Sequence, residues 1–191
     1  MLAAIRAARP SFVERPGVRA IVAQIAPPVD AALQFIESSE IAGARVVQGH
    51  RAELTELIAA AYPPIGRQVS ALHVLETGSA DELPYSFADT DVFVCEAVLG
   101  VAENGAVWLP LSRLRHRSAV FLATNVIVVL DRTRIVSHLH DAYAAIDLAA
   151  EGFGVFIAGP SKTADIEQAL VIGAHGAKSL TVLLLDPSFR E

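Results

Sequence analysis

The most constraining feature of this chain is a pair of short, almost unbroken hydrocarbon runs, Asn125 to Leu130 and Leu180 to Leu185. Neither alternates polar with apolar residues, so neither reads as a strand with one wet face. Such runs are strands buried on both sides, the pattern of parallel sheets covered by helices. A membrane span is not expected: the longest nearly apolar stretch, Ser118 to Leu130, is interrupted by Thr124 and Asn125. It falls short of the roughly 18–20 residues that a spanning helix needs.

Helical spacing surrounds these runs. Pro27 and Pro28 open a helix expected to reach about Ala42, with Val29, Leu33, Ile36 and Ile41 on its apolar face and Gly43 ending it. Ala44 to Val47 reads as a brief strand and Arg51 to Ala61 as a helix closed by Pro63 and Pro64. Val69 to Leu75, Val92 to Val101 and Ala106 to Leu109 read as strands. Glu103-Asn104-Gly105 joins the last two, and an Asn-Gly pair between apolar runs predicts a hairpin. Ile135 and Val136 form a further short strand, Leu139 to Ala149 a helix, Phe153 to Ala158 a strand and Ala164 to Ile172 a helix. This alternation predicts the α/β class: a mixed, mostly parallel sheet flanked by helices, with the hairpin supplying an antiparallel pair.

A chain of 191 residues holds one domain, or one domain with an arm. Met1 to Arg9 reads as a short helix stopped by Pro10, so an N-terminal helical arm over 1–26 and a single α/β domain over 27–191 are expected. At 53% hydrophobic residues, disorder is excluded, because enough apolar surface exists to offset chain entropy. The single cysteine, Cys95, excludes a disulfide scaffold and a four-cysteine metal or iron–sulfur site within one chain. A net charge of -6 argues against general nucleic-acid binding. Arg6 and Arg9 are not followed by an apolar stretch long enough for a secretory leader, so a cytoplasmic location is expected.

The richest local chemistry lies between two strands, in Gly159-Pro160-Ser161-Lys162-Thr163-Ala164-Asp165-Ile166-Glu167. Gly159 permits a tight turn, Ser161 and Thr163 are good helix caps, and Asp165 and Glu167 complement the positive end of a helix dipole. Open α/β sheets bind ligands at strand C-terminal ends, and Lys162 adds a positive charge. One reading is therefore a loop that holds the phosphate or carboxylate of a small anionic metabolite. The other is an ordinary capped turn between strand and helix.

Here the sequence resembles a known family. The Gly159–Glu167 stretch, followed by Leu170-Val171-Ile172-Gly173-Ala174-His175-Gly176, is similar to the signature of the LUD-domain family, the lactate-utilisation protein C proteins. Leu2 to Ala8 resembles that family's N-terminal helix, and Gly100 to Gly105 its central glutamate-bearing turn. The resemblance implies a sheet of the NagB/RpiA/CoA-transferase-like type. It also implies a role in oxidising L-lactate to pyruvate beside iron–sulfur partner subunits, with the clusters held by those partners and no cofactor in this chain. Two departures are visible. Ala177 stands where the family usually has proline, and Asn125-Val126 where it usually has His-Ile.

Glu103 is a second candidate. A carboxylate on a tight turn can act as nucleophile or general base, and Glu-Asn-Gly also resembles the turn bearing the catalytic glutamate of class I CoA-transferases. The plainer reading is a solvated hairpin turn. His175 has two readings as well, a group that orients a substrate carboxylate or exchanges protons and a loop histidine bonded to backbone. His50, His73, His116, His138, His140 and His175 form no metal-binding pattern, so no metal is expected. Arg113, Arg115, His116 and Arg117 form a basic cluster that either steers an anion or is a solvated or partner-facing patch. Cys95 reads as core, and Trp108 as core or interface. Three functions follow: an accessory component of a lactate-oxidising system, a stand-alone enzyme acting through Glu103 on a carboxylate, acyl-CoA or phosphorylated molecule, and a ligand-sensing scaffold. The apolar excess is compatible with a homo-oligomer.

Overall fold

The structure is a computed structural model that describes residue 8 and residues 27–62, 66–72, 83–114, 117–163 and 171–187. The expected N-terminal arm, the Pro63-Pro64 stop, His73, Arg115, His116, Asp165 and Glu167 lie outside the described residues. So does most of the helix expected over 164–172.

Five strands form an entirely parallel sheet: β1 (Arg45–His50), β2 (Arg67–Ser70), β3 (Thr90–Glu96), β6 (Asn125–Asp131) and β9 (Ser179–Asp186). Their order is β1-β9-β6-β3-β2. The two hydrocarbon runs are neighbours near its centre, β6 against β9, as their composition requires. One cross-sheet row reads Val46, Val182, Val128 and Cys95. Cys95 is fully buried in that row, and burial pushes its thiol well above the ordinary range.

Four further strands make a second sheet, ordered β7-β4-β5-β8: β4 (Leu99–Val101), β5 (Ala106–Pro110), β7 (Ile135–Val136) and β8 (Gly154–Ile157). β5 runs antiparallel to both β4 and β8, while β7 is parallel to β4. The expected α/β class, with a mostly parallel sheet flanked by helices, is present, but the antiparallel hairpin lies in a second sheet and not in the same one. The run Val92 to Val101, expected as one strand, changes sheet in the middle. The N–H of Ala97 donates to Val129 in the parallel sheet, and the next N–H, of Val98, donates to Trp108 in the second. Apolar periodicity cannot reveal this change, because both partners are buried.

The layers follow from the side-chain faces. On one side of the parallel sheet, α2 (Leu54–Ala61) sets Leu54 and Ile58 against Val92, Val94, Ile127, Val129, Leu183 and Leu185. On the other side, the main core joins Phe93, Val128 and Val182 to Val107 and Leu109 of the second sheet. Helices α1 (Ala31–Ile41) and α3 (Ala119–Leu122) contribute Phe35, Ala119 and Val120 to the same core. The outer face of the second sheet carries Leu99, Val101 and Trp108, covered by Ala142 and Leu139 of α4 (Leu139–Ala145).

Two helices differ from expectation for local reasons. α1 starts at Ala31 because Asp30 caps it, accepting from the N–H of Ala32 at 2.9 Å and of Leu33 at 3.0 Å. Its buried residues are Phe35 and Ser39, not the expected face, since Val29, Leu33 and Ile41 are exposed. The expected helix from Leu139 to Ala149 is split, because Asp147 caps a separate α5 (Leu148–Glu151) through the N–H groups of Ala149 and Ala150. The strand expected over Val69 to Leu75 ends at Ser70, and 73–75 lie outside the described residues. No helix among the described residues is long and apolar enough to cross a membrane.

Phe35 ties α1 to the core and lies below Gly100, where a Cβ would come within 3.0 Å of its ring. Phe35→Ala is therefore expected to lower the unfolding free energy by about 3–5 kcal/mol, measured by urea denaturation. A loss below about 1 kcal/mol, the level of an ordinary surface change, would contradict this packing.

Candidate functional site

The C-terminal turn of α1 organises the region. The helix stops where Gly43, at φ +88°, donates its N–H to Glu40, and the N–H of Ala44 donates to Ser39. Both turns singled out in the sequence press on this helix end. Gly105 of the β4–β5 hairpin has φ +67°, and a Cβ there would lie 2.4 Å from the Ser39 nitrogen. Ser39 in turn donates its hydroxyl to the Gly105 carbonyl at 3.3 Å. Gly159, which follows β8, has φ +70°, and a Cβ there would lie 2.0 Å from the Ala42 oxygen. Glycine is needed at both places for room as well as for conformation.

Lys162 reaches the same helix end. Its Nζ donates to the Ala42 carbonyl at 2.5 Å, placing a cation at the negative end of α1. The rest of the loop pairs with the segment before β9. Ser161 N–H donates to Ala177 at 2.9 Å, Gly173 N–H to Ser161 at 2.8 Å and Thr163 N–H to Val171 at 3.1 Å. Lys162 and Ile172 form an antiparallel bridge. The end of the expected helix over 164–172 is thus extended, held by this pairing. The amides of Ser161 and Thr163 and the ammonium of Lys162 already have partners, so together they do not form an open anion cradle.

What the loop does form is the wall of a cavity of about 270 Å³. Gly159, Pro160 and Ser161 line one side, and His175, Gly176 and Ala177 another. Val120 and Phe121 of α3, Val155, Phe156 and Ile157 of β8, Val126 of β6 and Leu180 of β9 complete it. Four of the expected site residues, Gly159, Pro160, Ser161 and His175, therefore share one space. Lys162, Thr163 and Glu103 are not among its lining residues.

The cavity's position corrects the reasoning that pointed to the loop. β8 belongs to the second sheet and runs antiparallel to β5, so the rule about parallel-strand C-terminal ends does not apply to it. Val126 and Leu180 stand near the starts of β6 and β9, at the N-terminal edge of the parallel sheet. Asn125 serves that edge structurally. Its amide nitrogen donates to the Tyr62 hydroxyl at 2.6 Å and the Asp91 carbonyl at 2.9 Å, and its oxygen accepts from Ser179 at 2.6 Å.

Glu103 has its own partners. Its Oε2 accepts the Leu139 N–H at 2.8 Å and stands 3.4 Å from His138 Nδ1. It ties the hairpin turn to the start of α4. At the opposite, C-terminal edge of the parallel sheet lies a charged set that sequence reading missed. Glu96 is held between Arg51 at 2.7 Å and Arg113 at 3.0 Å, and Arg132 pairs with Asp186 at 2.8 Å. Arg113 from the basic cluster is thus in an ion pair. The signal available in sequence was that Glu96, Asp131 and Asp186 each end an apolar run.

The fold and cavity define an α/β domain in which a small second sheet and a glycine-turned loop border a ligand-sized, mostly apolar space. The LUD domain family model matches residues 11–185, and the chain belongs to that family. The resemblance read from Gly159–Glu167 is thereby borne out. Among similar proteins is an uncharacterized protein of Neisseria meningitidis serogroup B, 32% identical over 104 residues, or 53% of this chain and 45% of that one. Lactate utilization protein C of Bacillus pumilus is 33% identical over 92 residues, 45% of this chain and 38% of the relative. That of Shouchella clausii is 33% identical over 101 residues, 50% and 44%. The matches thus span less than half the length of each of these relatives. A crystal structure of a DUF162 family protein from Deinococcus radiodurans shares the fold. Its TM-score is 0.63 at 18% identity, covering 83% of this chain and 99% of that one.

The loop geometry has a direct test by urea denaturation. Gly159→Ala is expected to cost more than about 1 kcal/mol, since it combines a positive φ with a backbone collision. Lys162→Met is expected to cost only about 0.3–1 kcal/mol, the worth of an exposed charge at a helix end. The reverse order would contradict the packing of this loop on α1.

Proposed function

We propose that this chain is an accessory component of an L-lactate utilisation system, taking part in the oxidation of lactate to pyruvate beside iron–sulfur partner subunits. In this reading it binds a small anionic metabolite in the cavity between Gly159–Ser161 and His175–Ala177. The observation that carries the proposal is the coincidence of two independent lines. The two ends of the stretch that carries the family resemblance, Gly159–Ser161 and His175–Gly176, also line the cavity. The names of the lactate-utilisation relatives supply the pathway.

The chemistry assigns roles. Ser161 offers a hydroxyl donor and His175, exposed at the wall, an imidazole that is a cation when protonated. Gly159 and Pro160 shape the loop. Lys162 is a positioning residue, holding the loop to α1 instead of meeting the ligand. Glu103 holds the hairpin on α4, and in this proposal it does not contact the ligand. A single buried cysteine leaves electron transfer to the partner subunits. A cytoplasmic setting belongs to the same proposal.

Growth on L-lactate provides the test. Deleting the gene in a host without a paralogue should abolish lactate-dependent growth, and the wild-type gene should restore it. The double variant Ser161→Ala, His175→Ala should fail to restore it at equal protein levels, because each lost charged hydrogen bond is worth about 1.5–3 kcal/mol of binding. Glu103→Gln should restore growth. Full growth of the deletion strain would overturn the pathway assignment. Full rescue by the double variant would overturn the site.

A further inference from the structure

The walls of the cavity are mostly hydrocarbon, and that bears on what kind of anion fits it. Val120, Phe121, Val126, Val155, Ile157 and Leu180 supply its side-chain surface, while side-chain polar groups are confined to Ser161 and His175. An apolar cavity of about 150 Å³ already holds a benzene ring, and this one measures about 270 Å³. Lactate and pyruvate are too small and too polar to use that space. Either would leave water against hydrocarbon, or would press oxygens against aliphatic and aromatic side chains that offer no hydrogen bond, at a desolvation cost.

We infer, resting on the cavity reading above, that the ligand is an amphipathic monocarboxylate with an apolar body of roughly six to eight carbons. Its body occupies the space between α3, β8 and the starts of β6 and β9. Its carboxylate lies at Ser161 and His175. The same arrangement disfavours lactate itself, so the chain's ligand is distinct from the substrate of the system it serves. Phe121 lines the cavity and is 42% exposed.

A chain-length series tests this on the full chain. Binding of straight-chain carboxylates from acetate to decanoate, and of L-lactate and pyruvate, is measured by calorimetry. Affinity should tighten about fourfold per added methylene, the equivalent of ~0.8 kcal/mol of buried CH₂, and then level off or reverse once the space is filled. Ala177→Leu, which adds bulk to the wall, should abolish the gain. Phe121→Ala, at a half-exposed position where the fold is safe, should move the optimum to a longer chain. If lactate or pyruvate binds as tightly as hexanoate, and Ala177→Leu removes that binding, the inference fails and the cavity reading stands. If affinity grows with length in both variants as in the wild type, the series is binding elsewhere and the inference fails. If none of these acids binds, both the inference and the cavity reading fall.

Discussion

The structure depends on how closely backbone can approach the C-terminal turn of α1. Two glycines, Gly105 and Gly159, bring two separate turns within contact of residues 39–42, and neither position has room for a Cβ. One turn is the end of a hairpin and the other leaves the neighbouring strand β8. Docking both on one helix end fixes the second sheet over the parallel one, and Phe35 fills the space beneath. Lys162 secures the arrangement from the loop side by bonding the Ala42 carbonyl.

This packing separates two kinds of chemistry at opposite edges of the parallel sheet. The C-terminal edge is charged, with Glu96 between two arginines and Arg132 against Asp186. The N-terminal edge carries the apolar cavity, bounded by the second sheet and the segment before β9. In a plain open α/β sheet the first edge would be the natural place for a ligand. The added sheet creates an alternative by covering the face of β6 and β9 and leaving a gap beside α3. Gly159–Ser161 and His175–Ala177 line that gap.

The elements were largely legible in the sequence, and the layering was not. Continuous apolar runs identified β6 and β9, and the Asn104-Gly105 pair identified the hairpin. Gly43 marked the end of α1. Legibility failed wherever tertiary contact chose among equally apolar options. Phe35 and Ser39 became the inner face of α1 because the Gly105 turn and the core meet them there, while Val29, Leu33 and Ile41 stayed outside. The passage from β3 to β4 leaves no mark on hydrophobicity, since Ala97 and Val98 are each bonded to a buried strand. For the site, the stretch was legible and the roles were not. Ser161 and His175 do reach one space, but the partner of Lys162 lies 120 residues away and no local pattern points to it. Asp165 and Glu167 fall outside the described residues.

In the proposed function, the loop after β8 serves a ligand in the cavity it walls. The most direct measurement is a map of amide chemical-shift changes as hexanoate is titrated into the labelled protein. Changes are expected to concentrate at Val155 to Ser161, His175 to Ala177 and Phe121, with Glu96, Arg113 and Arg132 unmoved. Changes centred on the charged C-terminal edge, with the loop unmoved, would contradict it.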